Sequence, residues 1–213
     1  MIDLELMWQE LNRITKPNAA ILIFGCEPFS SYLRLSNIKN FKYDWIWEKS
    51  KATNFLNAKK QPLRCHEIIS VFYKKQPTYN PQMVKATPYD KGVRKPQVND
   101  DVYGKYNQHH AISSGERYPR SVQYYRTAES EGGLHRTQKP VGLLEYFIQT
   151  YSNKGDTVLD FTCGSGSTLI ACMNTHRKGI GIELNDDFFK VAHNRILSHD
   201  ELMIEMAITD CSC

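Results

Sequence analysis

The sequence has 213 residues and a formal net charge of +4 at pH 7, and 41% of its residues are hydrophobic and 23% charged. These values are typical of a soluble globular protein with one domain and a sizeable core. No apolar run approaches the roughly 18 residues of a membrane-spanning helix, and because the start is acidic and amphipathic we do not expect it to be a secretion signal. The six cysteines show neither a C-x-x-C pair nor metal-ligand spacing, so we expect reduced thiols, no metal site, no membrane contact and a cytoplasmic protein.

The first third of the chain predicts two helices and three strands. An apolar stripe over residues 4–14 indicates an amphipathic helix. The short apolar run AAILIF (19–24) is typical of a strand buried on both faces. The other predicted elements are a short helix at FSSYLRLSNI (29–38) and strands at YDWIWEK (43–49) and EIISVFYKK (67–75).

Residues 75–130 are rich in Pro, Gly, Asn, Gln and Tyr, and we expect a mostly irregular insertion there. The window 74–126 holds ten Lys and Arg against four Asp and Glu, together with seven of the twelve tyrosines. Basic residues interleaved with aromatic ones suit a phosphate backbone with stacked or edge-read bases. A solvated basic insertion with locally packed tyrosines fits the same pattern, so both interpretations stay open at this point.

The last third predicts alternating helices and strands. Pro140 suits the first turn of a helix that carries an apolar stripe and ends at Asn153-Lys154-Gly155. The segments that follow are strand TVLDF (157–161), helix STLIACMNTH (167–176), strand GIGIEL (179–184) and helix DDFFKVAHNRIL (186–197). This β-α-β-α order predicts a parallel sheet covered by helices.

A glycine-rich turn joins the first of these strands to its helix. Gly164 and Gly166 let the backbone turn sharply and approach a ligand closely. A lone G-x-G is shared with NAD and FAD sites, and no G-K-[ST] follows that would indicate a phosphate-binding P-loop. In the NAD fingerprint a third glycine follows, where this chain has Leu169.

Two acids near the turn favour a positively charged cofactor. Glu183, at the end of the second strand, is placed to accept hydrogen bonds from a ribose diol, although a surface carboxylate at a strand end fits too. Asp160 lies in the turn motif itself, where it would repel a pyrophosphate. S-adenosylmethionine, with its sulfonium and amino groups, suits such a carboxylate better than NAD does.

Two phrases of the sequence resemble one enzyme family. DFTCGSGST (160–168) resembles the cofactor loop of amino-DNA methyltransferases, and HRTQKP (135–140) resembles the H-x-T-Q-K-P element that precedes it in the permuted, beta-type subgroup. The resemblance extends over roughly residues 1–199. It implies an α/β, Rossmann-like class I methyltransferase sheet, mostly parallel with helices on both faces, in circularly permuted order.

The resemblance also implies ligands and residue roles. The expected cofactor is S-adenosylmethionine, and the expected reaction is methylation of adenine N6 in duplex DNA, as in restriction-modification, although cytosine-N4 members share most of these motifs. The implied cofactor-binding residues are His135, Thr137, Gln138, Lys139, Asp160, Phe161, Gly164, Gly166, Thr168, Glu183 and Asn185. The basic residues expected to contact DNA are Lys74, Lys75, Lys85, Lys91, Arg94, Lys95, Arg117 and Arg120.

The expected organisation is a single methyltransferase domain over residues 1–199 with a tail at 200–213. Within it we expect a remnant of the catalytic half (1–74), a target-recognition insertion (75–130) and a cofactor-binding half (131–199). The subgroup often dimerises, so the resemblance suggests a homodimer, although the sequence itself leaves the oligomeric state open.

One family element is missing from the sequence, so no catalytic residue is assigned. The family's D/N/S-P-P-Y/F tetrapeptide, which accepts the amine hydrogens and stacks on the flipped base, is not found. Glu27-Pro28-Phe29 and Thr87-Pro88-Tyr89 match it only in part, and we interpret the second as a turn. The strand that carries the tetrapeptide lies between TVLDF and AAILIF in the family, so two half-sheets would be left with unpaired inner edges.

Three explanations for this gap stay open: a chain shortened at its N-terminus, which we favour, direct closure of the two halves, or a strand supplied by a partner chain.

Two alternatives to an active methyltransferase also remain. One is a non-catalytic paralogue that pairs with an active subunit. The other is a nicotinamide oxidoreductase, against which Leu169 and the HRTQKP element argue.

Overall fold

The computed structural model describes residues 2–94, 97–100, 104–106, 109–134 and 137–210. The chain forms two compact units, a larger one from Met1–Asn80 with Ser121–Cys213 and a smaller one from Pro81–Arg120. The helices are α1 (Leu4–Ile14), α2 (Phe29–Ser36), α3 (Val141–Tyr151), α4 (Ser167–Asn174) and α5 (Asp186–Asp210). The strands are β1 (Ile21–Gly25), β2 (Phe41–Thr53), β3 (Arg64–Phe72), β4 (Val84–Lys85), β5 (Tyr89–Arg94), β6 (Gln97–Asp100), β7 (Gly104–Tyr106), β8 (His109–Ser113), β9 (Glu116–Arg117), β10 (Val122–Tyr125), β11 (Thr157–Asp160) and β12 (Lys178–Gly181).

The larger unit contains a four-stranded sheet in the order β1-β3-β2-β10. Strand β3 runs antiparallel to both β1 and β2, whereas β10 runs parallel to β2. The register places Ile21 opposite Phe72 and Val122 opposite Ile46. This sheet is mixed, so the mostly parallel pairing expected from the sequence does not extend to it.

Helix α3 packs on one face of this sheet. The buried side chains there are Trp45, Trp47, Ile69, Val71, Leu143 and Phe147. The indole N–H of Trp45 donates to the hydroxyl of Tyr151 at 2.6 Å, which satisfies a polar atom inside the cluster. Burial raises the pKa of Tyr151, so this hydroxyl remains protonated at neutral pH.

Helices α1 and α2 cover the opposite face. Their buried cluster contains Trp8, Leu11, Leu33 and Phe72. The carboxylate of Asp3 caps α1 by accepting from the backbone N–H of Glu5 at 2.9 Å, which explains why the helix starts at Leu4. The helices predicted over residues 4–14 and 29–38 are therefore confirmed.

Strands β11 and β12 form a separate parallel pair joined by α4. The parallel pairing predicted from the β-α-β-α order is confirmed here. Helix α5 extends well beyond the predicted 186–197 and reaches Asp210. None of the helices in the described ranges combines the length and apolar character needed to cross a bilayer.

The smaller unit is built from short antiparallel ladders instead of the expected irregular chain. Strand β4 pairs with β9, β5 with β8, and β6 with β7. Tyr89, expected in a turn, opens β5. These strands escaped prediction because they are short and their sequences show little alternation of apolar and polar residues. Whether residues 75–130 are a target-recognition insertion stays a prediction, as do the other expected domain boundaries.

Candidate functional site

The glycine turn follows directly on β11 and leads into α4. Gly164 and Gly166 have φ of +53° and +79°, in the left-handed region where glycine is favoured. A Cβ on Gly166 would lie 3.2 Å from the Cβ of Ala192 in α5. Backbone conformation and helix packing thus both require glycine at position 166.

The carboxylate of Asp160 is held at the end of β11. Its Oδ2 accepts from the hydroxyl of Thr168 at 2.5 Å, and its Oδ1 accepts from the backbone N–H of Thr162 at 3.0 Å. Because donors on both sides of the turn fix the two oxygens, the charge has a defined position at the strand end.

Glu183 follows β12 and holds the other side of the turn. Its carboxylate accepts from the N–H of Gly164 at 2.9 Å and from the N–H of Asn185 at 2.9 Å. The side-chain oxygen of Asn185 accepts from the N–H groups of Asp187 and Phe188 and so caps α5. These contacts bring three of the predicted residues together, namely Gly164, Glu183 and Asn185.

The turn lies in a negative electrostatic environment. Burial raises the pKa of the Cys163 thiol, and the charges of Asp160 and Glu183 raise it further. Nearby carboxylates that disfavour a thiolate stabilise a cation in the same space. The turn is therefore suited to a positively charged ligand group.

Packing explains why this chain has a leucine, Leu169, where the NAD fingerprint has its third glycine. Leu169 lies against β12, where a Cβ on Gly179 or Gly181 would be 2.8 Å or 2.6 Å from a Leu169 methyl carbon. Close approach of helix and strand is thus obtained with glycines in β12 and a leucine in α4. In the NAD fingerprint the third glycine is in the helix and lets it pack closely on the strand. Here the small residues, Gly179 and Gly181, are in the strand, and the large residue, Leu169, is in the helix.

A cavity of about 560 Å³ lies beside the turn. Among the predicted cofactor residues, those that line it are Thr137, Lys139, Asp160, Phe161 and Thr168. Gln138 instead accepts from the N–H of Leu134 at 2.9 Å through its side-chain oxygen. His135 lies outside the described residues.

Glu67 holds Lys139 at this cavity. The Lys139 ammonium lies 3.2 Å from a carboxylate oxygen of Glu67, whose other oxygen accepts from Lys49. The three side chains are only 12–20% exposed. Burial acts to raise the pKa of Glu67, but the two lysines outweigh it and the pKa is lowered. No local pattern in the sequence pointed to this residue, because its partner comes from a distant segment.

Arg195 is a second residue that sequence reasoning missed. Its guanidinium donates to the carbonyl of Ser165 at 3.2 Å and to the hydroxyl of Ser167 at 2.9 Å, bracing the glycine turn from α5. It also lies 3.6 Å from Glu131, which accepts from the first N–H of α3. The spacing of residues along α5 offers no hint of this role.

The predicted DNA-binding residues are divided between the two units. Lys74 and Lys75 follow β3 in the larger unit, and Lys85, Lys91, Arg117 and Arg120 belong to the smaller one. Lys91 and Arg117 both lie over the ring of Tyr89, at 4.8 Å and 4.5 Å from its centroid. Arg94 closes β5, and Lys95 lies outside the described residues.

Neither partial match to the missing tetrapeptide lines the cavity beside the glycine turn. The Glu27 carboxylate accepts from the N–H of Ser31 at 3.1 Å and pairs with Arg34, so it serves the start of α2. Pro88 and Tyr89 lie in the smaller unit, at the start of β5.

Comparison with known families identifies the chain. The sequence profile of the family described as DNA methylase, the N6/N4 methyltransferases, matches residues 3–194. The chain belongs to this family. The match confirms the resemblance carried by DFTCGSGST and HRTQKP, and it argues against a nicotinamide oxidoreductase.

Individual relatives agree with this assignment. The chain is 25% identical over 210 residues to the type II methyltransferase M.HindIII of Haemophilus influenzae, covering 86% of this chain but only 65% of that protein. It is 44% identical over 62 residues, 29% of this chain, to the DNA adenine methyltransferase YhdJ of Escherichia coli. The crystal structure of the M1.HpyAVI–SAM complex superposes with a TM-score of 0.64 at 25% identity, covering 91% of this chain and 81% of that one. The chain thus has the Rossmann-like class I methyltransferase fold.

Proposed function

We propose that this protein binds S-adenosylmethionine and transfers its methyl group to the exocyclic N6 of adenine in duplex DNA. The observation that carries the proposal is the placement of two carboxylates, Asp160 and Glu183, on either side of a glycine turn in a DNA methylase fold. The structural neighbour M1.HpyAVI, crystallised as a complex with SAM, supports the choice of cofactor.

The residues around the turn suit this cofactor chemically. Asp160 supplies a fixed negative charge for the amino or sulfonium group, and Glu183 has oxygens at the end of β12 that can accept from a ribose diol. Thr137 and Lys139 line the adjoining cavity, where Lys139 can meet a carboxylate. Gly164 and Gly166 keep the turn free of side chains. His135, Gln138, Phe161, Thr168 and Asn185 complete the proposed site.

When bound, the sulfonium supplies a methyl group to the base amine by in-line displacement, with no covalent enzyme intermediate. The protein's contribution is to position cofactor and base, which provides most of the rate. A flipped base also requires acceptors for its amine hydrogens. No residue of this sequence is assigned to that role.

Basic residues support DNA as the partner. Lysines and arginines neutralise phosphates and release counterions, and two of them, Lys91 and Arg117, are held over the ring of Tyr89. We propose that Lys74, Lys75, Lys85, Lys91, Arg94, Lys95, Arg117 and Arg120 contribute to this contact. Adenine is favoured over cytosine by the local identity to a DNA adenine methyltransferase.

The test combines cofactor binding with methyl transfer. Calorimetric titration should show saturable binding of S-adenosylmethionine and none of NAD. The chain is then incubated with methyl-labelled cofactor and duplex DNA of mixed sequence, and the nucleosides are separated. N6-methyladenine is the expected product, whereas N4-methylcytosine would overturn the base assignment. Absence of cofactor binding would overturn the proposal as a whole.

A second candidate function is a non-catalytic subunit that binds cofactor or DNA beside an active partner. It is favoured by the engagement of Glu27 with Ser31 and Arg34, which ties this partial match to the start of α2. This candidate predicts normal cofactor binding without methyl transfer by the chain alone. Transfer by the pure chain would exclude it.

A further inference from the structure

We propose that the tip of the hairpin formed by β2 and β3 inserts into duplex DNA as an apolar wedge between neighbouring base pairs. The hairpin tip is the connection over residues 54–63, which begins with one turn of 3₁₀ helix, Phe55–Asn57. Duplex DNA is the partner under the proposed function, on which this inference rests. None of the predicted DNA-binding residues belongs to the hairpin tip, so the wedge is an additional contact site.

Two large apolar side chains are exposed side by side at the hairpin tip. Phe55 is 74% exposed and Leu56 is 84% exposed. Leu63, at the other end of the connection, is exposed as well. Adjacent exposed apolar side chains indicate a contact surface. Phenylalanine and leucine are also among the side chains that DNA-binding proteins insert between base pairs to unstack them.

The hairpin tip has a defined conformation although its side chains are exposed. Asn54 has φ of +71°, in the left-handed region that asparagine tolerates better than most residues. Its backbone carbonyl accepts from the N–H of Asn57 at 3.0 Å, and its side-chain oxygen accepts from the side-chain amide of Asn57 at 2.8 Å. These bonds hold Phe55 and Leu56 together on one turn, which reduces the entropy lost when they are inserted.

Contacts behind the hairpin tip hold the two strands that carry it. The hydroxyl of Ser50 accepts from the N–H of Thr127 at 3.1 Å, and the neighbouring Lys51 pairs with Glu129. The hydroxyl of Thr53 donates to the backbone carbonyl of the first residue of β3 at 3.2 Å. The apolar pair is therefore presented at the end of a braced hairpin.

The charge of the hairpin identifies the partner. Residues 50–66 contain four Lys and Arg and no Asp or Glu. An apolar pair flanked by cations suits a polyanion with an apolar stack of bases inside it, which describes a DNA duplex. Contact between the hairpin tips of two copies would instead bring like charges together. The four cations are all exposed, namely Lys51, Lys59, Lys60 and Arg64.

The hairpin extends away from the cavity that the candidate site lines. Lys49 of β2 and Glu67 of β3 are linked to Lys139, which lines the cavity. From Lys49, β2 continues for four residues to Thr53, about 13 Å at about 3.3 Å per residue. At about 3.4 Å per base-pair step, a duplex with its target base at the cavity would meet the hairpin tip about four steps away. Insertion there would kink the duplex and loosen the stack from which the base is extruded.

The test compares two double variants in binding a short fluorescein-labelled duplex of mixed sequence. Phe55→Ser with Leu56→Ser should lower the affinity about fivefold or more, because contacts between a base and an aromatic side chain contribute at least that factor. The matched control is Tyr32→Ser with Leu35→Ser, an aromatic and a leucine of α2 that are 67% and 70% exposed. This control should bind like the unmodified chain. Equal affinities of the hairpin-tip variant and the unmodified chain would overturn the proposal.

The shape of the bound duplex separates insertion from contact at the surface. Donor and acceptor dyes at the two ends of the duplex report a kink as increased energy transfer, since inserted wedges bend DNA. At saturating protein concentration the unmodified chain and the α2 control should increase the transfer, and the hairpin-tip variant should not. A transfer that did not depend on Phe55 and Leu56 would overturn the proposal.

Three further measurements distinguish other partners and the possible causes of failure. Binding to vesicles of phosphatidylcholine and phosphatidylserine, or self-association in sedimentation velocity, would overturn the proposal if it depended on Phe55 and Leu56 while DNA affinity did not. Both side chains are exposed, so the variant should keep its fold and its affinity for S-adenosylmethionine. If the unmodified chain bound no DNA, the proposed function would be wrong together with the wedge. If it bound DNA and only the comparison of variants failed, the wedge alone would be wrong.

Discussion

Asp160 shows how a single side chain can be both structural and functional. Its oxygens accept from Thr162 and Thr168, so an amide replacement can keep part of this geometry while removing the charge. Asp160→Asn should therefore weaken S-adenosylmethionine binding by about tenfold or more, because a hydrogen bond to a charged group contributes about 1.5–3 kcal/mol. Calorimetric titration of the variant checks this.

The matched control for Asp160→Asn lies at the other end of the same segment. Asp156 accepts from the N–H of Asn153 at 2.8 Å, just before β11, and does not line the cavity. Asp156→Asn should bind the cofactor as the unmodified chain does. If both variants lost binding equally, stability of β11 would explain the effect and the role given to Asp160 would be wrong.

Glu67 is expected to stabilise the folded chain. It lies between two lysines in a largely buried group, so Glu67→Gln leaves Lys49 and Lys139 without a counter-charge. The free energy of unfolding at pH 7 should fall by about 2 kcal/mol. Glu10→Gln, in a pair with Arg13 whose side chains are 62–70% exposed, should change it by less than about 0.5 kcal/mol. Urea denaturation measures both.

The sign of the pH dependence follows from the lowered pKa of Glu67. A carboxyl whose pKa is lower in the folded state contributes its full stabilisation of the fold at pH values above its unfolded pKa of about 4.3. This contribution is lost as the pH falls through the pKa that the group has in the folded state. The difference between the unmodified chain and Glu67→Gln should therefore shrink below about pH 4. A difference that stayed constant from pH 7 to acid would show that the carboxylate charge is not its source.

At the scale of elements, α4 and β12 pack through residues of complementary size, because Leu169 of the helix lies against the glycines of the strand. Gly181→Val places carbon atoms where the Leu169 side chain lies, since even a Cβ would be 2.6 Å from its Cδ1. Such overpacking should cost about 1–3 kcal/mol, and adding Leu169→Ala should recover part of it. Gly142→Ala, where the nearest atom is 3.6 Å away, should be neutral or stabilising. Thermal unfolding of these three variants and of Leu169→Ala alone tests the pairing, and additive losses in the double variant would contradict it.

The elements also show what can be predicted from this sequence. Helices α1 and α4 and strands β1 and β11 were predictable because apolar periodicity and the flanking turns are local signals. The glycine turn with Asp160 was predictable because a short contiguous motif carries it, and Glu183 was predictable from its place at the end of the next strand. Strands β4 to β9 were not, because pairing between short polar strands leaves little periodicity. Glu67 and Arg195 were hidden because tertiary contacts alone bring them to the site.

At the scale of the whole molecule, the two units allow DNA and cofactor binding to be separated by variants. Lys85 and Lys91 are exposed residues of the smaller unit, and Asp160 belongs to the larger one. The affinity for DNA falls as the salt concentration rises, and each neutralised phosphate adds about 0.9 to the steepness of a plot of log affinity against log salt concentration. If the two lysines neutralise phosphates, the double variant Lys85→Gln, Lys91→Gln should make this plot less steep by about 0.9 for each lost contact. Cofactor affinity should not change. The control is Lys154→Gln with Lys178→Gln, an equally exposed pair of the larger unit outside the predicted DNA-binding set. A fluorescence titration of duplex DNA at several salt concentrations gives the slopes, and equal slopes for both double variants would show that net charge, and not this surface of the smaller unit, governs the contact.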